Sequence, residues 1–308
     1  MLNFLLDIAP DKSQLLLTIK LAGILREKKQ EVYYTYTSNP AFTPVLYDKG
    51  ISNCVLYPDD FRWLKPDLTL LDCRHAAHAS LYRQLAIDYI FIAMQLPDQK
   101  NIQDKDISIL YLPPTPYLSS GSGPRLETLT KRLQDIKKDK ERNIIVGLLG
   151  KGNKNSKILE DFYRVIKRSS IRNPRYQFIL LTDIPNVYQS FELPGNMELF
   201  RTLNLNTILP LCDLALTDSH SDAWLDCTFA QIPVLKYSPK DMINITPMKL
   251  EQQIEYALKN KITLTQKAKE LCDFFERKNR EINKIADMLI ERAGRNRYNS
   301  CRLRPHTY

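Results

Sequence analysis

The chain has 308 residues, 44% hydrophobic and 26% charged, with six cysteines and a formal net charge of +9. That is the balance of a globular protein of about two domains. It excludes a membrane-spanning chain, because no apolar run reaches the ~18 residues a span needs. The widely spaced cysteines form no CxxC pair, so neither a disulfide framework nor a zinc site is indicated.

The charge is lopsided: residues 1–115 carry a net −1 and the remainder a net +10. A basic second half facing phosphate, nucleic acid or an anionic membrane surface competes with one made of plainly solvated basic helices. The opening MLNFLLDIAPDK lacks a basic leader and a small-residue cleavage site. This predicts no signal peptide and a cytoplasmic chain with reduced thiols.

In chain order, Asn3–Leu6 reads as a strand, followed by a polar loop, Asp7–Ser13. Apolar residues at helical spacing then run through Lys28. The β-forming EVYYTY, Glu31–Tyr36, predicts a second strand, and Ser52–Leu56 a short third. Pro66–Asp72 is an apolar run ending in a carboxylate, the pattern of a buried parallel strand. A helix is predicted over Ala76–Ala86, and strands over Tyr89–Ala93 and Ile107–Leu112. Residues 113–124 concentrate Pro, Ser and Gly and read as a linker, and a charged helix follows over Arg125–Lys140. The alternation then restarts. Strand Asn143–Leu149, loop Gly150–Asn155 and helix Ser156–Ser169 precede strands Gln177–Leu181, Met197–Phe200 and Leu214–Thr217. Helix Ser221–Ala230 and strand Pro233–Tyr237 follow, then a charged helix from Thr263 to about Ala293. Its apolar face is read from Leu271, Phe274, Phe275, Ile282, Ile285, Met288 and Leu289. A basic tail, 294–308, ends the chain. The expected division is 1–115, 116–140, 141–293 and 294–308: an α/β chain with two Rossmann-like halves.

Chemistry concentrates at strand ends. Asp7 closes the first strand, where doubly wound folds place functional groups, and Asp11 lies in the same loop. Either carboxylate is a candidate base or a capping residue. Gly150, Lys151 and Asn153 lie in a strand-to-helix loop suited to a diphosphate, though it is not a Walker loop. Thr217-Asp218-Ser219-His220 leaves a strand and opens a helix whose N–H groups suit an anion; Asp218, Ser219 and Asp222 fit equally well as its caps. His75 and His78 stand three residues apart with no third ligand apparent. They are read as cleft-lining or surface histidines, and no metal is expected. No nucleic-acid signature accompanies the charge.

Lys65–Asp72 followed by His75–Ile87 resembles a stretch of the GT-B glycosyltransferases. Asp213–Pro233 is similar, without a gap, to the sugar-nucleotide site of family 1 glycosyltransferases and of the lipid-linked GlcNAc transferase of peptidoglycan synthesis. Phe4–Val32 resembles the opening of the same family. The resemblance implies two Rossmann-like domains facing across a cleft, and a nucleoside diphosphate sugar of the UDP or dTDP type as donor substrate, with no cofactor and no metal. Transfer would be to a hydroxyl of a lipid-linked or small-molecule acceptor, in the cytoplasm or at the inner membrane face through peripheral contact. It implies donor binding by Gly150, Lys151, Asn153, Leu203, Asp218, Ser219, His220 and Asp226, with Asp226 at the family's ribose-binding acid and Leu203 where the base is read by main-chain atoms. Several signature residues differ. Gln14 replaces the family's histidine base, Asp218-Ser219-His220 its His-Gly-Gly, Ala223 its phosphate-contacting Ser/Thr, and Gln231 its small Gly. Glutamine cannot take a proton, which moves the catalytic base to Asp7 or Asp11. The same changes keep open a non-catalytic homologue serving as nucleotide-sugar sensor or partner subunit.

Overall fold

The computed structural model describes residues 1–8, 12–35, 46, 51–54, 64–94, 109–114, 124–149, 156–182, 184, 187, 192–219 and 221–302. The chain divides into two compact units, Met1–Thr115 with Phe274–Tyr308, and Pro116–Asp273.

The first unit is built on a six-stranded, all-parallel sheet in the order β3-β2-β1-β4-β5-β6. Its strands are β1 (Asn3–Asp7), β2 (Glu31–Thr35), β3 (Ser52–Cys54), β4 (Leu68–Asp72), β5 (Tyr89–Met94) and β6 (Ile109–Leu112). Residues 4–7 and 68–72 are buried on both faces, which explains why the two central strands read as unbroken apolar runs. Helix α1 (Lys12–Glu27) packs Leu17, Leu21, Ala22 and Leu25 against one face. The connection after β4 is a 3-10 turn, Cys73–His78, running into a short helix, α2 (Ala79–Gln84).

The second unit carries a five-stranded parallel sheet in the order β11-β10-β7-β8-β9. Helix α3 (Pro124–Lys138) leads to β7 (Asn143–Leu148), α4 (Ser156–Arg172), β8 (Tyr176–Leu181) and β9 (Met197–Phe200). A single turn, α5 (Leu205–Ile208), precedes β10 (Leu214–Asp218), α6 (Ala223–Phe229) and β11 (Val234–Tyr237). Apolar clusters cover both faces of the sheet. One is built on Phe162, Tyr163 and Ile166 of α4, the other on Leu129 and Leu133 of α3.

Both sheets reverse their strand order beside their first strand: between β1 and β4 in one, between β7 and β10 in the other. Such a reversal opens a crevice at the carboxyl ends of the two strands, because the connections leave in opposite directions.

The structure revises several expectations. The single helix expected over Ala76–Ala86 is the 3-10 turn plus α2, because Asp72 closes a turn at the end of β4. The helix expected over Ser221–Ala230 starts at Ala223. Two helices lie between Tyr237 and Thr263: α7 (Pro239–Asn244), with a Ser238–Asp241 capping box, and α8 (Pro247–Lys259), capped by Thr246. Their Ser-Pro and Thr-Pro starts are ordinary helix openings. The long closing helix is two, α9 (Lys261–Arg280) and α10 (Ile282–Arg302), so the helix runs well past 294 into the expected tail. In α10 the buried stripe is Ile282, Ala286, Leu289 and Ala293, which packs into the core of the first unit; Met288 is exposed. Arg292 and Asn296 fasten α10 to Asp88 at 2.7–3.0 Å. Among the described residues no helix is long and apolar enough to cross a membrane.

Candidate active site

At the reversal of the first sheet, Asp7 is the last residue of β1 and pairs in register with Leu71 of β4. The residues that follow β4 therefore arrive beside it. Asp72, 1% exposed, accepts the backbone N–H of Arg74 at 2.9 Å, and the Arg74 guanidinium returns to the same carboxylate at 3.1 and 3.2 Å. This Asx turn folds the chain back immediately after the strand. His75 sits inside the turn at φ −98°, ψ 25°, the sparsely populated bridge region where many active-site residues lie.

The turn delivers both histidines to one carboxylate. His75 Nδ1 lies 2.9 Å from Asp7 Oδ1, and His78 Nδ1 lies 2.7 Å from Asp7 Oδ2. Tyr82, fully buried in α2, donates its hydroxyl to Oδ2 at 2.7 Å, and Thr35 at the end of β2 donates to Oδ1 at 2.9 Å. Each carboxylate oxygen thus meets two donors, about the full capacity of a carboxylate.

Electrostatics follow from that geometry. Asp7 is 1% exposed. Burial pushes its carboxyl pKa up, but the hydrogen bonds from His78, His75 and Tyr82, with the charge of His78, outweigh it and hold the group below the usual aspartate value. The Tyr82 phenol is pushed far above its ordinary range, by burial first and then by the Asp7 charge and hydrogen bond, so it stays a donor. An ionised Asp7 only accepts, so a neutral ring at either position carries its proton on Nδ1 and leaves the lone pair on Nε2.

The arrangement corrects the reading of His75 and His78 as histidines without a third partner: Asp7 lies with both. Asp7, His75 and His78 can offer one ligand atom each, all within 4.8 Å of one another. The signal lies in the strand order: adjacent parallel β1 and β4 bring residue 7 and residues 73–78 together. Tyr82 and Thr35 had no such signal. Asp11, the other candidate base, lies outside the described residues, and Gln14 is buried in α1.

The reversal of the second sheet carries the expected donor residues. Asp218 ends β10 with no exposure, and Ser219 follows it, exposed, donating its N–H to Tyr237 O at 2.9 Å. Ser221 donates its N–H to Asp218 O and accepts that of Ala223 through Oγ at 3.1 Å, so Ser221 closes the turn into α6. Asp226 is half-buried in the first turn of α6. Leu203 packs against the apolar cluster under α3. Gly150, Lys151, Asn153 and His220 lie outside the described residues; β7 and β10, which lead to them, are direct neighbours. Lys236 of β11 stands in register with Thr217, its Nζ 4.1 Å from the centre of the Trp224 ring, and desolvation there lowers its pKa. This pair was not singled out in sequence. Gln231, where the family resemblance has Gly, adopts a left-handed φ of 56°.

No protein-family model matches the chain, and no curated protein sequence matches it. Solved structures do. The chain is similar to the glycosyltransferase of kitacinnamycin, with a TM-score of 0.66 at 12% identity over 94% of this chain and 98% of that one. It is similar to the spinosyn forosaminyltransferase SpnP, with a TM-score of 0.66 at 14% identity over 95% and 99%. It is also similar to the spinosyn rhamnosyltransferase SpnG complexed with thymidine diphosphate, with a TM-score of 0.64 at 10% identity over 92% and 100%. The fold is that of the GT-B glycosyltransferases, with two Rossmann-like domains.

Proposed function

We propose that the chain is a glycosyltransferase moving a sugar from a nucleoside diphosphate sugar of the UDP or dTDP type to an acceptor hydroxyl, without a catalytic metal. The observation that carries the reading is the buried Asp7 carboxylate shared by His75 and His78 at the reversal of the first sheet. Asp7 was expected as the base itself. With its oxygens taken by four donors it is a poor proton acceptor, and its part becomes that of the positioning carboxylate. The base is the Nε2 of one of the two histidines. It takes the proton of the acceptor hydroxyl as that oxygen bonds to the anomeric carbon. The bond from that carbon to the diphosphate oxygen breaks, and the nucleoside diphosphate leaves with the electron pair. The resulting imidazolium is paired with Asp7, which is where a buried carboxylate is worth most.

On the donor side we assign Gly150, Lys151, Asn153, Leu203, Asp218, Ser219, His220 and Asp226, on the strength of the resemblance and, Leu203 after β9 apart, of their place at or after the ends of β7 and β10. The thymidine diphosphate held by SpnG supports a pyrimidine diphosphate donor. The acceptor is a small molecule or lipid-linked. The sensor or partner-subunit alternative is not favoured, because a histidine pair that can accept a proton stands in for the base that Gln14 replaces.

The test has two stages. Nucleotides and nucleotide sugars are screened for a rise in melting temperature, which binding to the native state produces by mass action. Transfer to a panel of hydroxyl acceptors is then measured for the parent, His75→Gln and His78→Gln. The expected result is a rise with UDP or dTDP compounds, and a fall of ~10²–10⁴-fold in kcat for one histidine variant that still binds nucleotide. Transfer at the parental rate in both variants would remove the histidine base.

A further inference from the structure

We propose that Asp7, His75 and His78 also form a binding site for one transition-metal dication of the zinc class, and that the ion, when seated, holds sugar transfer off. The second part rests on the glycosyltransferase reading above; the site itself does not.

Two imidazoles and one carboxylate are a donor set for zinc, cobalt or nickel rather than for magnesium or calcium, which prefer all-oxygen surroundings. The three ligand atoms come from the end of a central strand and from one tight turn. They lie within 4.8 Å of one another, with carboxylate–imidazole separations of 2.9 and 2.7 Å. Ligand atoms around a tetrahedral zinc with ~2.0–2.1 Å bonds stand about 3.3 Å apart, so ring movements that close the widest pair by up to about 1.5 Å complete the set. His78 has room for that shift, its side chain being 46% exposed, and a water completes the coordination from the same open side.

The surroundings supply the outer support that metal ligands need. Tyr82 and Thr35 each keep a hydrogen bond to the Asp7 carboxylate, at 2.7 and 2.9 Å, and fix its plane. Beside the site, the Arg74 guanidinium is paired with the Asp72 carboxylate at 3.1 and 3.2 Å.

The consequence for catalysis follows from the tautomers. In the metal-free site each Nδ1–H points at Asp7 and each Nε2 has a lone pair. An ion that takes the two Nδ1 atoms moves the ring proton to Nε2. That is the atom the acceptor hydroxyl needs, so the same ring cannot bind the ion and remove the acceptor proton. No bond to the sugar or nucleotide is involved, and no co-reactant is needed.

Cobalt(II), whose visible absorption reports nitrogen and oxygen ligation, is the probe. The full chain, stripped with a chelator, is titrated with cobalt(II) and then with zinc. One equivalent of cobalt should give a visible band that zinc abolishes. His75→Gln and His78→Gln should each weaken binding at least about tenfold. No band in the parent, or an unchanged band in both site variants, overturns the site. Transfer by the same stripped protein should fall at least about tenfold at saturating zinc and return with chelator. Full transfer under zinc overturns the switch and leaves the glycosyltransferase reading standing. A stripped protein that transfers nothing with any acceptor removes that reading, and the cobalt band still decides the site.

Discussion

The two sheets reverse their strand order in the same way, and each reversal is flanked by a strand ending in a buried aspartate, yet the two places are chemically unlike. Asp7 in the first sheet is met by four donors from three other elements. Beside the end of β10 the Thr217 hydroxyl is fully buried with no hydrogen-bond partner among the described residues, and the neighbouring cation, Lys236, lies over the Trp224 ring. The first place is a preorganised proton-handling network, its acceptors filled and its histidine tautomers set. At the second, the backbone runs from Asp218 and Ser219 through the Ser221 turn into α6. Topology fixes where a crevice opens, and the few residues that turn away from the strand decide what it can do.

That contrast can be broken by one substitution on each side. Tyr82→Phe removes one hydrogen bond to an ionised, buried carboxylate. It should cost about 1.5–3 kcal/mol in urea unfolding; a loss below about 0.5 kcal/mol would mean that the network does not hold the first place together. Thr217→Val keeps the shape and removes a buried hydroxyl that has no partner among the described residues. It should leave stability unchanged or raise it by up to about 1 kcal/mol. A destabilisation of similar size to that of Tyr82→Phe would show that the two strand ends are alike after all.

Most of the scaffold was legible in the sequence. β1, α1, β2, β4, β5, β8, β9 and β10 follow apolar runs and helical spacing to within two residues, because a parallel sheet covered on both faces leaves no choice of pattern. The closing helices were legible only in part. Their charge and spacing showed helix, but the break at Glu281 and the choice of Ala286 and Ala293 over Met288 for the buried stripe depend on the close fit of α10 to α1. Small residues do not announce a buried face in a sequence. The candidate site divides the same way. Asp7 was found because it ends a strand. His75 and His78 were seen as a pair but judged alone, since a third partner 68 residues away in the chain becomes visible only with the strand order. Tyr82 was one tyrosine among 16, and only its place one turn beyond His78 makes it a donor to Asp7.

The central claim is that Asp7 sets both histidine rings with the proton on Nδ1 and a bare Nε2. Nitrogen-15 NMR of the metal-free protein tests it without any substrate, with the ring signals assigned through His75→Gln and His78→Gln. At a pH where the rings are neutral, both should show a protonated Nδ1 and an unprotonated Nε2, and this pattern should be lost in Asp7→Asn. Rings in the Nε2–H form in the parent protein would contradict the claim, and with it the assignment of the base.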